Sequence, residues 1–327
     1  MRGRKIYNSC KKSLKIIPMF SILLASPRGY CAGVDRAIGM LDDILKMYGN
    51  EEHIYVNHEI VHNKFIVEYF EKKGVIFSDD LDTIPAGSIM VFSAHGVAPS
   101  FVAAAKAKWL RCVDASCPLV IKVHNEAKKF ISEGYKIIYI GKKDHQEAIG
   151  VADNDLQNIY IVGNKKEADE LLFPAWQKLA LLNQTTLSVD DTKDLIQYIT
   201  TLYPEIKLPG FSDICYATTN RQEAVKVLAA EVDALIIVGS QNSSNSVKLR
   251  LIGEKAGIPS ILIDNKDELP EVFLTWIKKI GISSGASAPD QLVKDLIEHL
   301  QGLGWVFERE IITKEEKMIF PYKIELS

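Results

Sequence analysis

PRGYCAGVDRA, residues 27–37, sets a cysteine where an apolar run ends and a helical pattern begins. The same arrangement returns at DASCPLVIKVH (114–124) and DICYATTNRQEAV (213–225), so Cys31, Cys117 and Cys215 each stand just ahead of a helix. Behind Cys31 the apolar residues Val34, Ala37, Ile38, Leu41, Ile44 and Leu45 follow the helical period, as do Ala224, Val225, Leu228 and Ala229 behind Cys215. A helix start offers free N–H groups and the positive end of a dipole, which is expected to lower a thiol pKa and make the thiolate a good metal ligand. Three such ends converging would form a three-thiolate site, one ligand from each lobe. Cys10, in a basic arm, and Cys112, inside the apolar strand ahead of Cys117, read as bystanders that behave as small hydrophobes. Three thiolates with no Cys-x-x-Cys pair argue against a structural zinc site, which takes four ligands closely spaced in pairs. They suit an iron–sulfur cluster with one iron free of protein ligand.

Outward from these units the chain alternates apolar strands with helices, the pattern of parallel sheets covered by helices. A length of 327 residues suits about two domains, but the repeated cysteine units point to an α/β fold of three small parallel-sheet lobes in pseudo-threefold arrangement around one centre. The expected division is a basic arm over 1–20, lobe 1 over 33–117, lobe 2 over 118–211, lobe 3 over 212–300 with a first strand at 21–32, and a tail over 301–327 packing on another lobe. HEIVHNKFIVEYFEKKG (58–74) reads as one helix stopped by Gly74. Residues 1–20 carry six basic and no acidic side chains and then meet IIPMFSILLAS (16–26), which superficially resembles a signal peptide. Cleavage there would remove the strand that delivers Cys31, so the stretch is read as a loosely ordered arm, with Met19 an alternative start. No apolar run approaches the roughly 20 residues of a membrane-spanning helix. A net charge of −3 gives no reason to expect nucleic acid. Five scattered cysteines fit a reducing compartment, and a cytoplasmic location is expected.

Ligands of such folds sit beyond the carboxyl ends of the strands. Those ends carry His95, His145, Glu147, Thr185, Ser243, Ser244, Asn245 and Ser287, and His62 lies near a helix start. The loop GSQNSSNS (239–246) matches neither the dinucleotide fingerprint nor the phosphate loop of nucleotide hydrolases. Its serines and asparagine open a helix, however, and can donate hydroxyl, amide and backbone hydrogens to an anion. Each polar residue alone would serve as a helix cap; together with several histidines they describe a diphosphate pocket.

PRGYCAGVDRA, VHN (61–63), SAHGV (93–97), DASCPLV (114–120), QTTLSVDDT (184–192), CYATTNRQEAV (215–225), GSQNSSNS and GASAPD (285–290) together resemble the 4-hydroxy-3-methylbut-2-enyl diphosphate reductases, in order from about residue 21 to 300. The resemblance implies a four-iron four-sulfur ([4Fe–4S]) cluster on Cys31, Cys117 and Cys215. It implies diphosphate contacts from His62, His95, His145, Ser243, Ser244, Asn245 and Ser287, and a proton-delivery pair in Glu147 and Thr185. The reaction implied is reductive removal of the C4 hydroxyl, giving isopentenyl and dimethylallyl diphosphates, the last step of the non-mevalonate isoprenoid pathway. With no nucleotide or flavin motif, electrons are expected from a small carrier such as ferredoxin or flavodoxin. Where the family usually reads G-H-x-G-H-P-E, this chain has GKKDHQE (141–147), so Lys142 and Gln146 put the shape of that loop in question. Two other readings stand beside this one: an iron–sulfur sensor without catalysis, and a zinc-dependent phosphoester hydrolase with Glu147 as base.

Overall fold

The computed structural model describes residues 20–49, 52–210 and 212–327. The basic arm, Cys10 and Met19 lie outside the described residues. The first strand and helix are β1 (Ser21–Ser26) and α1 (Ala32–Tyr48). Lobe 1 continues through β2 (Ile54–Asn57), α2 (Lys64–Glu71), β3 (Ile76–Phe77), β4 (Ile89–Phe92), α3 (Pro99–Ala107) and β5 (Arg111–Asp114). Lobe 2 holds α4 (Pro118–Ser132), β6 (Lys136–Ile140), α5 (Gln146–Ala152), β7 (Ile159–Val162), α6 (Lys165–Asp169), β8 (Leu179–Asn183) and α7 (Val189–Leu202). Lobe 3 holds α8 (Tyr216–Ala229), β9 (Ala234–Val238), α9 (Ser244–Lys255), β10 (Ser260–Ile263), β11 (Lys279–Ser284), α10 (Asp290–Gly302) and β12 (Val306–Ile312). The strands form three parallel sheets, ordered β3-β2-β4-β5, β7-β6-β8 and β10-β9-β11-β1-β12.

Each central strand is apolar on both faces because helices cover both faces. In β9 the alternation divides Ile236 and Val238 from Leu235 and Ile237, which enter two separate cores on opposite sides of one sheet. Strand β6 does the same with Ile138 and Ile140 against Ile137 and Tyr139. The continuous runs ALIIV and KIIYI therefore encode a buried parallel sheet rather than a half-exposed one.

The chain changes lobe at each cysteine. β1 belongs to the lobe 3 sheet, but α1 packs Ala37, Met40, Leu41 and Ile44 into the lobe 1 core. β5 ends lobe 1, and α4 packs Val123, Ala127 and Phe130 into lobe 2. After lobe 2, α8 packs Ala224, Val225 and Leu228 into lobe 3. Each cysteine is thus a junction residue between two lobes.

Two expectations are corrected. The helix read over 58–74 begins only at Lys64, because Asn63 caps it through its side chain, which accepts from the Ile66 N–H at 3.1 Å. His58 sits at a positive φ of 53°, with its N–H held by Asp79, so HEIVHN is a turn. Within the expected tail, Val306–Ile312 is a strand on the free edge of β1. Its VFEREII sequence is mostly exposed, which leaves no apolar alternation to read.

Candidate active site

All three cysteines occupy the N-cap position of their helices, in extended backbone conformation: Cys31 on α1, Cys117 on α4, Cys215 on α8. They line one cavity together with His62, His95, His145, Glu147, Thr185, Ser243, Ser244, Asn245 and Ser287. All of these residues except Cys215, which comes after α7 and a loop, follow the carboxyl end of a strand, where parallel α/β sheets expose loops and helix starts.

The thiols differ from the sequence expectation in one respect. Burial pushes the Cys117 thiol up to about 12, with the neighbouring Cys31 adding to it, and pushes Cys215 up to about 11. Backbone N–H groups of Leu119 and Val120 at Cys117, and of Thr218 at Cys215, pull the other way but do not win. Desolvation outweighs the helix dipole, so a cationic metal must displace the protons. Gly33 leaves room between two of the thiols: a Cβ there would fall 2.5 Å from Cys117 Sγ and 3.9 Å from Cys31 Sγ. Three soft donors that line one cavity and face a glycine cradle fit a multi-iron cluster.

Glu147, only 2% exposed, accepts from the Thr185 N–H at 2.7 Å and from Thr185 Oγ1 at 2.8 Å. Burial lifts its carboxyl to about 7, against the lowering effect of the Thr185 bonds. Tyr139 Oη donates to the same carboxylate at 3.4 Å. The Thr185 carbonyl in turn accepts from the Cys215 N–H at 3.0 Å, tying the acid to a cysteine turn.

The histidines form one group. His62 and His95 stack with centroids 3.8 Å apart, and His145 meets His62 edge-on at 5.4 Å. His62 Nδ1 lies 3.1 Å from Glu59 Oε2; a carboxylate only accepts, so this nitrogen carries the hydrogen. Burial works to raise Glu59, but hydrogen bonds from His62 and Asn242 help leave it lowered. His145 caps α5, its Nδ1 accepting the Glu147 N–H at 3.1 Å, which leaves the ring hydrogen on Nε2. Burial and the neighbouring His62 hold His145 down to about 4 and His95 well below its ordinary value.

In the serine loop, Ser243 caps α9 through Ser246, Ser244 donates to the Thr186 carbonyl at 3.1 Å, and Ser287 donates to the His62 carbonyl at 2.8 Å. Asn245 alone is unspent: both polar atoms of its carboxamide are buried without a partner. The Lys142 N–H bonds Gln184 Oε1 at 3.1 Å and Gln146 reaches His58 across lobes at 3.5 Å, while His145 and Glu147 keep their posts.

Sequence reasoning missed three contributors. Phe320 lines the cavity from the segment after β12. Buried Asp213 accepts from the Asn183 N–H at 3.0 Å and pairs with Lys122 at 3.1 Å, fixing the approach to Cys215. Arg221 lies fully buried behind two of the cysteine turns. A basic residue inside NRQEAV, on the helix that carries Cys215, was the one available signal.

Fold and site define a parallel α/β protein whose three lobes share one three-cysteine centre. The LytB protein family model matches residues 22–301, and the chain belongs to that family. Similar proteins include the 4-hydroxy-3-methylbut-2-enyl diphosphate reductases of Actinobacillus pleuropneumoniae serotype 5b (43% identical, covering 94% of this chain and 98% of that protein) and of Corynebacterium efficiens (45% identical, 91% and 89%). The solved E-1-hydroxy-2-methyl-but-2-enyl-4-diphosphate reductase of Plasmodium falciparum superposes with a TM-score of 0.89 at 36% identity, over 94% of this chain and 96% of that one. Among the described residues, no helix is long and apolar enough to cross a membrane.

Proposed function

We propose that the protein reduces (E)-4-hydroxy-3-methylbut-2-enyl diphosphate to isopentenyl and dimethylallyl diphosphates, in the last step of the non-mevalonate isoprenoid pathway. One carbon–oxygen bond breaks and one carbon–hydrogen bond forms; two electrons and two protons enter and water leaves. The observation that carries this reading is the pairing, in one cavity, of three open thiols with a histidine and Asn245 seat for an anion. Cys31, Cys117 and Cys215 would hold a [4Fe–4S] cluster, which when bound supplies electrons singly and an iron that no side chain occupies. Electrons are expected from a ferredoxin- or flavodoxin-type carrier, in the cytoplasm. Under anaerobic conditions with a reduced viologen dye, the reconstituted protein should convert the allylic diphosphate to both products. A protein with full iron and sulfide that leaves this substrate unchanged would rule the reading out.

The side chains divide the work. His62, His95, His145, Ser243, Ser244, Asn245 and Ser287 bind the diphosphate, and holding it away from the reacting carbon orients that carbon. Glu147 gives a proton to the departing oxygen, because hydroxide is a poor leaving group. Thr185 is too weak an acid to be the source and instead fixes the carboxyl in place.

Two expectations follow for the seat. Inorganic pyrophosphate should compete with substrate, and Asn245→Ala should weaken its binding by about 1.5–3 kcal/mol, the worth of a charge-assisted hydrogen bond. Unchanged competition constants in Asn245→Ala would remove this loop from the site. Neutral His95 beside an arriving anion should also take up a proton near neutral pH. Calorimetry in buffers of different ionisation enthalpy reads this, and equal heats in all buffers would show that the ring stays neutral.

A further inference from the structure

Arg221 heads the fully buried side chains by volume, with 0% exposure, on the helix that Cys215 caps. Its guanidinium donates to the Gly29 carbonyl from Nη2 at 2.8 Å and from Nε at 3.2 Å, and to the Tyr30 carbonyl at 3.3 Å. Nη1 donates to the Ala217 carbonyl at 3.0 Å. Gly29 and Tyr30 lead directly into Cys31, and Ala217 lies just beyond Cys215. One planar fork of donors therefore holds two cysteine turns in register, a geometry that lysine cannot reproduce.

A buried guanidinium needs a counter-charge. Glu316 supplies it, from the segment after β12: its carboxylate meets Arg221 Nη1 at 3.0 and 3.1 Å and accepts from Asn220 at 2.9 Å. The Glu316 side chain is only 15% exposed. The same segment then lines the cavity with Phe320, donates from Tyr322 Oη to Asp43 on α1 at 2.9 Å, and packs Ile324 and Leu326 on the lobe 1 core. Residues 313–327 thus run as a strap from lobe 3 to lobe 1.

We propose that Arg221 and Glu316 are a positioning pair: they fix the separation of the Cys31 and Cys215 turns, and the strap carrying Glu316 keeps the cysteine centre closed against loss of iron. This rests on the three-cysteine reading above. It goes further in assigning retention of the metal to residues that touch neither metal nor substrate.

The test compares the reconstituted parent with Glu316→Gln, which keeps shape and removes charge, and with Arg221→Lys. Two quantities are read: the rate at which a chelator takes up iron, followed by loss of visible absorption, and the melting temperature of the metal-free protein. Glu316→Gln should release iron about tenfold faster or more, the consequence of losing a charge-assisted bond; the metal-free melting temperature should also fall, because Arg221 is left buried without its counter-charge, so iron release is read well below both transitions. Arg221→Lys should act in the same direction; should it fail to fold, Glu316→Gln decides alone. Iron release at the parent's rate would overturn the proposal. So would a fall in metal-free melting temperature with no change in iron release, which would make the pair a general brace. A parent that binds no iron would instead fault the three-cysteine reading.

Discussion

Cys31→Ser, Cys117→Ser and Cys215→Ser should each purify without iron, sulfide or turnover, whereas Cys112→Ser should keep all three. The three sensitive residues cap helices at lobe junctions and face one cavity. Cys112 lies inside β5, 2% exposed, its thiol toward the Leu110 carbonyl at 3.6 Å. A serine oxygen is a harder ligand than a thiolate and does not replace it on iron. From sequence alone Cys10→Ser is also expected to be silent. Metal analysis with visible absorption and dye-linked turnover checks the set; a colourless Cys112→Ser or a fully active Cys215→Ser would sink the assignment.

Glu147→Gln should retain metal and substrate binding yet lose about 10²–10⁴-fold in turnover, the contribution of a positioned acid. The rival donor is His145. Burial and its neighbours hold it down to about 4, so at neutral pH its ring is uncharged and a poor proton source. Glu147, lifted by burial to about 7, is still substantially protonated there. The sign for pH follows: an acid acts in its protonated form, so kcat/KM should be flat below about 7 and fall above it. In Glu147→Gln that limb should vanish along with the rate, while His145→Asn should weaken binding instead. Turnover of Glu147→Gln equal to the parent's at saturating substrate would show that the proton comes from elsewhere.

Much of the site was legible because its residues obey local rules. A cysteine after an apolar run and before a helical period must sit at a helix start, and all three do. Continuous Ile/Val/Leu strands gave the parallel sheets, and Ser188 before VDDT capped α7 as its chemistry suggests. What escaped depends on tertiary context. The helical spacing of Ile66, Tyr69 and Phe70 does not reach back over HEIVHN, which Asp79 and the Asn63 cap hold as a turn. β12 has no apolar alternation and is a strand only because β1 offers a free edge. The thiol shifts reversed sign because burial, invisible in a one-dimensional pattern, outweighs the helix N-terminus. Arg221 carries no local signal of burial, and only the fold shows it packed against two cysteine turns.

The central claim is a cluster held by three cysteines with one iron left open toward the substrate seat. Iron-57 Mössbauer spectroscopy of anaerobically prepared protein, with iron and sulfide analysis, tests it most directly. The account predicts about four iron and four sulfide per chain, with about one quarter of the iron signal distinct from the rest and shifted by adding the allylic diphosphate. A single metal ion per chain, or a spectrum in which substrate leaves every iron unchanged, would contradict it.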